Sequence, residues 1–226
     1  MRSYDEYCAI AKSLDVVGDR WTLLIVRELA LRGGCRYTDL RNGLPGIATN
    51  LLADRLRELE QAGLVAREDA PPPIATTLFH LTPRGQELRP VLDDLFRWGL
   101  PLMTEQKPDD AVRSHWLAGA LEVMLTDHSP EQPPVALEVR TGDQPITVEA
   151  ADGDVRIRLS AAENPDLTLS GDPQPILGLL FGLRDLEAAQ TAGVTYEGDP
   201  AVLERIRGSF PSLSAADYTP RVSLPS

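Results

Sequence analysis

The sequence predicts an α+β protein with a helical domain over residues 1–107 and a second, mixed domain over residues 108–226. Its 226 residues exceed the roughly 100–150 that one compact domain usually takes. Helical periodicity dominates the first half, whereas short strand-like segments separated by Gly and Asp turns dominate the second. Charge divides in the same way: residues 1–108 hold 14 Lys+Arg against 15 Asp+Glu, and residues 109–226 hold 8 against 19. A near-neutral half joined to a strongly acidic half indicates two units with different partners.

Composition excludes several classes of protein. Hydrophobic residues make up 42% and charged residues 25%, which excludes wholesale disorder and a fibrous protein. The sequence has no apolar run of about 18 residues and no basic-then-apolar start, so we expect neither a membrane span nor a secretory signal. Its two cysteines rule out a disulfide framework and favour a reducing cytoplasm. The acidic second half is not expected to lie on DNA, because phosphate contacts require a locally positive surface.

The first half contains the pattern of a helix-turn-helix. Periodicity predicts helices over residues 7–17, 21–31, 37–43 and 49–62, with a tight turn at 44–47. In the last helix Leu52, Leu56 and Leu59 form a core-facing stripe. The opposite face carries Asn50, Asp54, Arg57 and Gln61, flanked by Leu51 and Arg55. This order is typical of a helix that enters the DNA major groove, and a helical hairpin that only packs has the same pattern.

A two-stranded wing is predicted next. Residues 64–67 and 78–81 are strand candidates separated by a proline-rich loop. Thr82 and Pro83 then begin a helix, as N-cap and first residue, that we expect to continue to about residue 103. One side of that helix is apolar and needs a partner, either the protein core or another chain; it carries Leu88, Val91, Leu92, Leu95, Phe96 and Leu102, with Trp98 beside them.

Several motifs stand in order over residues 6–105: Cys8, Trp21-Thr-Leu-Leu24, Arg36-Tyr-Thr-Asp-Leu-Arg41, Pro45-Gly-Ile47, Leu52-Ala-Asp-Arg-Leu-Arg-Glu-Leu59, Gly63-Leu-Val65 and Leu81-Thr-Pro-Arg-Gly85. Together they resemble the HxlR-type winged helix-turn-helix regulators. The resemblance implies a homodimeric bacterial transcription factor that reads an inverted repeat in double-stranded DNA. It further implies that helix 49–62 is the reader, that the wing lies near the minor groove or backbone, and that helix 83–103 pairs with helix 7–17 of the other subunit.

The expected DNA contacts follow from the same resemblance. The arginines are Arg36, Arg41, Arg55 and Arg57, and the other reader residues are Thr49, Asn50, Ala53 and Asp54. A solvated helix face is the alternative for each arginine. Two features depart from the family: Ala48 replaces the usual serine N-cap, a role that Thr49 is expected to take over, and residues 69–78 of the wing contain no Lys or Arg. We therefore expect modest affinity that depends steeply on the remaining arginines.

Cys8 is a candidate redox residue, because several HxlR-type relatives use the cysteine at this position to sense oxidants or electrophiles. Such reactivity requires a lowered pKa and solvent access. A buried, inert cysteine is the alternative. Cys35 is the weaker candidate of the two.

The second half predicts a helix over residues 112–127, strands over 135–141, 145–150, 154–159, 167–170 and 194–197, and helices over 173–183 and 200–207, with one sheet. Over residues 112–208 this order resembles the sterol-carrier-protein fold, on the segments Asp166-Leu-Thr-Leu-Ser-Gly-Asp-Pro-Gln-Pro-Ile-Leu177 and Val194-Thr-Tyr-Glu-Gly-Asp-Pro-Ala201. The resemblance implies an apolar cavity for a hydrophobic small-molecule effector. A filled core fits the same pattern equally well. Candidate wall residues are Trp116, Met124, Leu177, Leu180 and Phe181.

Catalysis is not expected. The three histidines are scattered without metal-ligand spacing, and the sequence contains neither a phosphate-binding loop nor a Gly-x-Ser-x-Gly turn. No metal or cofactor is therefore predicted. Three hypotheses stay open: an effector-responsive regulator, a carrier of lipid-like ligands that uses its helical half only to dimerise, and a thiol-based regulator acting through Cys8.

Overall fold

The computed structural model describes residues 3–69, 76–103, 107 and 109–208. The chain forms two compact units, Met1–Ala120 and Leu121–Ser226. This division falls later than the expected one at residue 107, because residues 114–120 pack against a helix of the first unit. Within the described ranges no helix is both long and apolar enough to cross a membrane.

The helices of the first unit largely follow the predicted pattern. They are α1 (Ala9–Val17), α2 (Thr22–Arg32), α3 (Tyr37–Gly43), α4 (Thr49–Gln61), α5 (Pro83–Gln86), α6 (Arg89–Gly99) and α7 (Ser114–Met124), the last of which extends past the unit boundary. The prediction of one continuous helix over 83–103 was wrong. Pro90 has no N–H to donate to the Gln86 carbonyl, so the chain breaks between α5 and α6. Pro101 lies in the short 3-10 helix Leu100–Leu102 that follows α6.

A three-stranded sheet contains the wing. Its strands are β1 (Gly34–Arg36), β2 (Val65–Asp69) and β3 (Thr77–Leu81), in the order β1-β3-β2. The wing strands pair antiparallel as predicted, from Val65 opposite Leu81 to Asp69 opposite Thr77. The wing tip, residues 70–75, lies outside the described residues. Strand β1 was not predicted, because three residues are too few to show an alternating pattern.

The predicted core stripe and helix cap of the first unit are confirmed. Leu52, Leu56 and Leu59 of α4 are all buried in one apolar cluster with α2 and α3. Thr82 accepts a hydrogen bond from the N–H of Gly85 at 3.1 Å and so caps α5. These contacts fix α4 and the wing to the same core.

The described residues of the second unit, 121–208, form two sheets, so the prediction of one sheet was wrong. A five-stranded sheet has the order β7-β6-β5-β8-β9, with β5 and β8 parallel and the other pairs antiparallel. A separate antiparallel pair joins β4 and β10. The strands are β4 (Leu125–Asp127), β5 (Val135–Arg140), β6 (Ile146–Ala151), β7 (Asp154–Arg158), β8 (Leu167–Ser170), β9 (Thr195–Gly198) and β10 (Ile206–Gly208), and the further helices are α8 (Pro173–Leu180), α9 (Leu186–Thr191) and α10 (Val202–Arg205).

The two short strands β4 and β10 occupy the ends of segments that the sequence predicts as helices. Residues 125–127 continue the apolar period of α7, and residues 206–207 continue that of α10, so local periodicity favours helix in both places. Their pairing, with Ile206 opposite Asp127, overrides that preference. Helix α9 was also not predicted.

A buried ion pair fastens β4 to α10. Arg205 donates from Nε to Oδ1 of Asp127 at 2.9 Å and from Nη2 to Oδ2 at 3.1 Å, and both side chains are almost completely buried. Arg205 also donates to the carbonyl oxygen of Ala150 at 3.3 Å. The Arg205 hydrogen bond lowers the pKa of Asp127 to about 2. The pair therefore joins the small sheet to strand β6 through a charge-assisted contact.

Candidate nucleic-acid interface

The helix-turn-helix frame holds the start of α4 against α3. The Tyr37 hydroxyl, at the start of α3, donates a hydrogen bond to the carbonyl oxygen of Thr49 at 2.7 Å. Leu40, Leu44 and Ile47 are buried between the two helices. The position of the α4 N-terminus is therefore set by both packing and a hydrogen bond.

The outward face of α4 is available to a partner. Asn50, Asp54 and Arg57 are exposed, and Ala53 is half-buried between them. Thr49 is exposed as well, but it does not cap the helix, so that expectation was wrong. The N-cap is Ala48, with extended backbone, and its side chain forms no hydrogen bond to the first-turn N–H groups. A helix N-terminus without a side-chain cap favours an anion.

The four predicted arginines fall into two groups. Arg57 pairs with Asp54, and Arg55 pairs with Glu58. Nε of Arg55 also lies 3.7 Å from Oδ1 of Asp19, and this side chain is only 22% exposed. Arg36 and Arg41 are exposed, and neither forms an ion pair with another described residue. A phosphate contact by Arg55 or Arg57 therefore competes with an existing carboxylate, whereas one by Arg36 or Arg41 does not.

The described part of the wing is acidic. Glu68 and Asp69 are exposed on β2, and Asp69 accepts a hydrogen bond from the Thr77 hydroxyl at 2.7 Å. Arg67, also on β2, is exposed but lies 3.2 Å from Glu60 of α4. The wing strands accordingly offer little positive charge to a phosphate backbone.

Two apolar helix faces are exposed in the first unit. On α6 and the 3-10 helix that follows, Val91, Leu95, Trp98 and Leu102 are exposed at spacings of four, three and four, with Trp98 at 64%. Leu88 and Leu92 instead pack against the core, so only half of the predicted stripe is free. At the start of the chain, Tyr7 just before α1 and Ile10 and Leu14 on α1 are exposed. Sequence reasoning did not single out this second face, although its spacing of three and four was the available signal.

The two cysteines differ in environment. Cys8 is exposed at the N-cap of α1, where the N–H groups of Ala11 and Ile10 lower the pKa of its thiol. Cys35 lies buried in β1, and burial raises the pKa of its thiol to about 11. Only Cys8 therefore combines access with an easier ionisation.

We expect iodoacetamide at pH 7.5 to alkylate Cys8 while Cys35 stays unmodified until the chain unfolds, because the thiolate is the nucleophile. Mass spectrometry of the native and urea-unfolded chain measures both sites. Equal labelling of the two cysteines in the native chain would contradict the assignment, and Cys8→Ser provides the blank.

Four of the five predicted ligand-wall residues lie in the second unit. Met124, Leu180 and Phe181 are core residues, and Leu177 is partly buried. Trp116 lies in the first unit, where its indole N–H donates to Glu28 at 2.6 Å. Two surface clefts of about 420 and 430 Å³ are lined by other residues, the first by α1 and Arg55 and the second by β5–β7 and residues 160–164.

The described residues hold no group of three His, Cys, Asp or Glu side chains that could bind a metal ion. His80 lies in wing strand β3, as the sequence predicted.

Comparison with known proteins identifies the first unit. Residues 16–107 match the family model described as HxlR-like helix-turn-helix. The uncharacterized HTH-type transcriptional regulator YvaP of Bacillus subtilis is 34% identical over 87 residues, which is 38% of this chain and 80% of that protein. An uncharacterized HTH-type transcriptional regulator of Methanothermobacter thermautotrophicus is 33% identical over 96 residues, 42% of this chain and 72% of that protein.

Among solved structures, the reduced form of the transcriptional regulator YodB from B. subtilis is 28% identical, with a TM-score of 0.38, over 45% of this chain and all of that one. The family match covers the same helices, turn and wing that build the candidate interface. Together with the two relatives it distinguishes the chain from enzymes. The chain belongs to the HxlR-like helix-turn-helix family of DNA-binding transcriptional regulators.

Proposed function

We propose that the protein is a homodimeric regulator that binds an inverted repeat in double-stranded DNA through the outward face of α4. The observation that carries the proposal is the geometry of that face. Packing and the Tyr37 hydrogen bond hold it in place, it is exposed, and it has the unpaired Arg36 and Arg41 on the preceding elements. A fixed, exposed helix with exposed cations beside it suits base contacts from the helix and phosphate contacts from the arginines.

The contacts are assigned by exposure and charge. Arg36 and Arg41 contact phosphates, and Asn50, Ala53, Asp54 and Arg57 face base edges, with Arg57 leaving Asp54 on binding. Thr49 and the free N–H groups of the first turn of α4 meet a backbone phosphate. Arg55 contributes least, because Glu58 and Asp19 already hold it.

Binding is tested by fluorescence anisotropy with a duplex from the region directly upstream of the protein's own gene, at two salt concentrations. We expect salt-sensitive binding of modest affinity that unrelated competitor DNA does not remove. Weak binding that is equal on all duplexes would instead favour the carrier hypothesis, in which the helical unit serves only to dimerise.

Arg41→Ala is expected to reduce the slope of log affinity against log salt by about 2 for a dimer, since each lost phosphate contact removes close to one counterion. The loss of affinity should be similar on specific and non-specific duplexes. Arg84→Ala is the matched control, because Arg84 is an exposed arginine outside the helix-turn-helix. An unchanged slope for Arg41→Ala would show that Arg41 does not contact a phosphate.

The dimer is supported by the two exposed apolar faces on α1 and α6. Isolated surface leucines are ordinary, but a stripe with an exposed tryptophan in its middle indicates a protein partner. In the proposed arrangement α6 of one subunit packs on α1 of the other, which covers both faces with one two-fold contact.

For the second unit we propose a hydrophobic small-molecule effector that changes DNA affinity. The support is compositional: α8 and the residues after it, Leu177 to Leu183, are apolar almost throughout. Since Leu180 and Phe181 are buried, entry requires them to move aside. Titration with a fluorescent fatty-acid analogue, with and without the DNA duplex, tests the coupling; equal affinity in both states would dismiss it.

Cys8 supports a second candidate function, a thiol switch. Its exposure and lowered pKa are the features that a sensing cysteine requires. If this function holds, hydrogen peroxide releases the wild-type protein from DNA and leaves Cys8→Ser bound. Release of both forms alike would rule it out.

A further inference from the structure

A fully buried carboxylate lies in the first unit beside the helix-turn-helix. Glu28 of α2 is 0% exposed. Burial by itself raises the pKa of Glu28, but hydrogen bonds from His115 and Trp116 and the charge of Arg27 outweigh it, so this pKa lies below its ordinary value. A buried charge is costly unless it is paired and hydrogen-bonded, so the donors around Glu28 are structurally required.

Four side chains surround this carboxylate. Arg27 donates from Nη2 to Oε1 at 2.9 Å, and Nε of Arg32 lies 3.4 Å from Oε2. His115 contributes Nε2 at 2.8 Å from Oε2, and Trp116 donates its indole N–H to Oε1 at 2.6 Å. The guanidinium of Arg27 also stacks 4.4 Å above the Trp116 ring.

Half of these donors come from outside the segment that resembles the family. The family match ends at residue 107, whereas His115 and Trp116 lie on the first turn of α7. Residues 114–120 belong to the first compact unit. They lie tightly on α2, since a Cβ on Gly119 would come within 2.5 Å of Cδ2 of Leu31.

The Glu28 carboxylate also lies against the helix-turn-helix, at the end of α3. A Cβ on Gly43, the last residue of α3, would lie 2.1 Å from Oε2 of Glu28. To make room for such an atom, the Glu28 carboxylate would have to shift from its contacts with His115 and Trp116. The turn from α3 to α4 therefore begins against a carboxylate that α7 contacts.

We propose that residues 114–120 are a working part of the DNA-binding unit and that Glu28 is a positioning residue: His115 and Trp116 hold its carboxylate against Gly43 and so set where α3 ends and α4 begins. Residues 114–120, which we call the strap, lie beyond the end of the family match at residue 107 and thus complete the winged helix of this protein. Without the strap a buried charge at the back of the helix-turn-helix would lose two of its four partners.

The test uses hydrogen–deuterium exchange of the full chain in the absence of DNA, so its outcome does not depend on the operator. Trp116→Phe keeps the ring against Arg27 and removes only the N–H. We expect exchange of the hydrogen-bonded backbone amides within residues 43–50, those of Leu44 and Ile47, to accelerate by about tenfold, since a hydrogen bond to a charged group is lost. Trp98→Phe, which changes an exposed tryptophan of α6, should leave these amides unchanged.

Further variants separate positioning from general stability. Glu28→Gln retains an acceptor for the Trp116 N–H and should accelerate residues 43–50 less than Glu28→Ala does. Adding Trp116→Phe to Glu28→Ala should add little, because the partner is already gone. His115→Gln provides the same test if Trp116→Phe does not fold, as checked by circular dichroism. Acceleration confined to residues 112–120, with 43–50 unchanged, would overturn the proposal.

Discussion

Replacing Asp127 with alanine is expected to lower the free energy of unfolding of the second unit by about 3–5 kcal/mol, because it leaves the Arg205 guanidinium buried without its counter-ion. Hydrogen exchange of the β5 and β6 amides measures this unit by itself. The double variant Asp127→Leu with Arg205→Met should recover much of the loss, since an apolar pair carries no desolvation penalty. If the double variant is as unstable as Asp127→Ala, the loss reflects packing rather than an orphaned charge.

The same pair predicts a pH dependence with a definite sign. The folded-state pKa of Asp127 is about 2, below its ordinary value of 3.8. A carboxyl whose pKa is depressed by folding stabilises the fold above its ordinary pKa, and this contribution is lost as the pH falls toward the folded value. Urea unfolding followed by circular dichroism should therefore show the advantage of the wild type over Asp127→Asn shrinking from pH 5 toward pH 2. An advantage that is constant over this range would contradict the assignment.

Leu95→Asp is expected to convert the protein from a dimer to a monomer and to weaken binding to its operator duplex by about 100-fold. The charge would be buried against the partner subunit in the proposed dimer. A monomer would also lose the second half-site, whose binding is effectively intramolecular in a dimer. Light scattering measures the mass against 24.7 kDa per chain, and anisotropy measures the affinity.

Leu159→Asp is the matched control for this prediction. Leu159 is an exposed leucine of the second unit and lies on neither apolar face, so the charge should change neither mass nor affinity. If the Leu95→Asp protein stays dimeric, α6 is not part of the subunit contact.

Local pattern was sufficient for the winged helix. The spacing of Leu52, Leu56 and Leu59 fits a helix that buries one face, and Thr82 followed by Pro83 is typical of a helix start. The buried face of α4 and the start of α5 were therefore predicted correctly. The break at Pro90 was also visible in the sequence, but the apolar stripe that continues across it favoured one long helix.

Charge partners were not predictable in the same way. Sequence spacing places Arg55 and Arg57 on or beside the outward face of α4. Only the folded chain shows that Glu58, Asp19 and Asp54 hold them, while Arg36 and Arg41 form no ion pair with another described residue. Trp116 was a candidate wall residue because the sequence places it on an amphipathic helix, residues 112–127, of the second half. Its N–H instead satisfies a carboxylate that lies 88 residues earlier in the chain.

The sequence by itself determined the family, helix α4 with its outward face, the wing and the five strands of the larger sheet, since each rests on periodicity or on residues close together in the chain. Tertiary structure alone decided the pairing of β4 with β10, the burial of Glu28 and Asp127, and the inclusion of residues 114–120 in the first unit. These features depend on contacts between distant segments, where the cost of burying a charge is met only once the fold has brought its donors together.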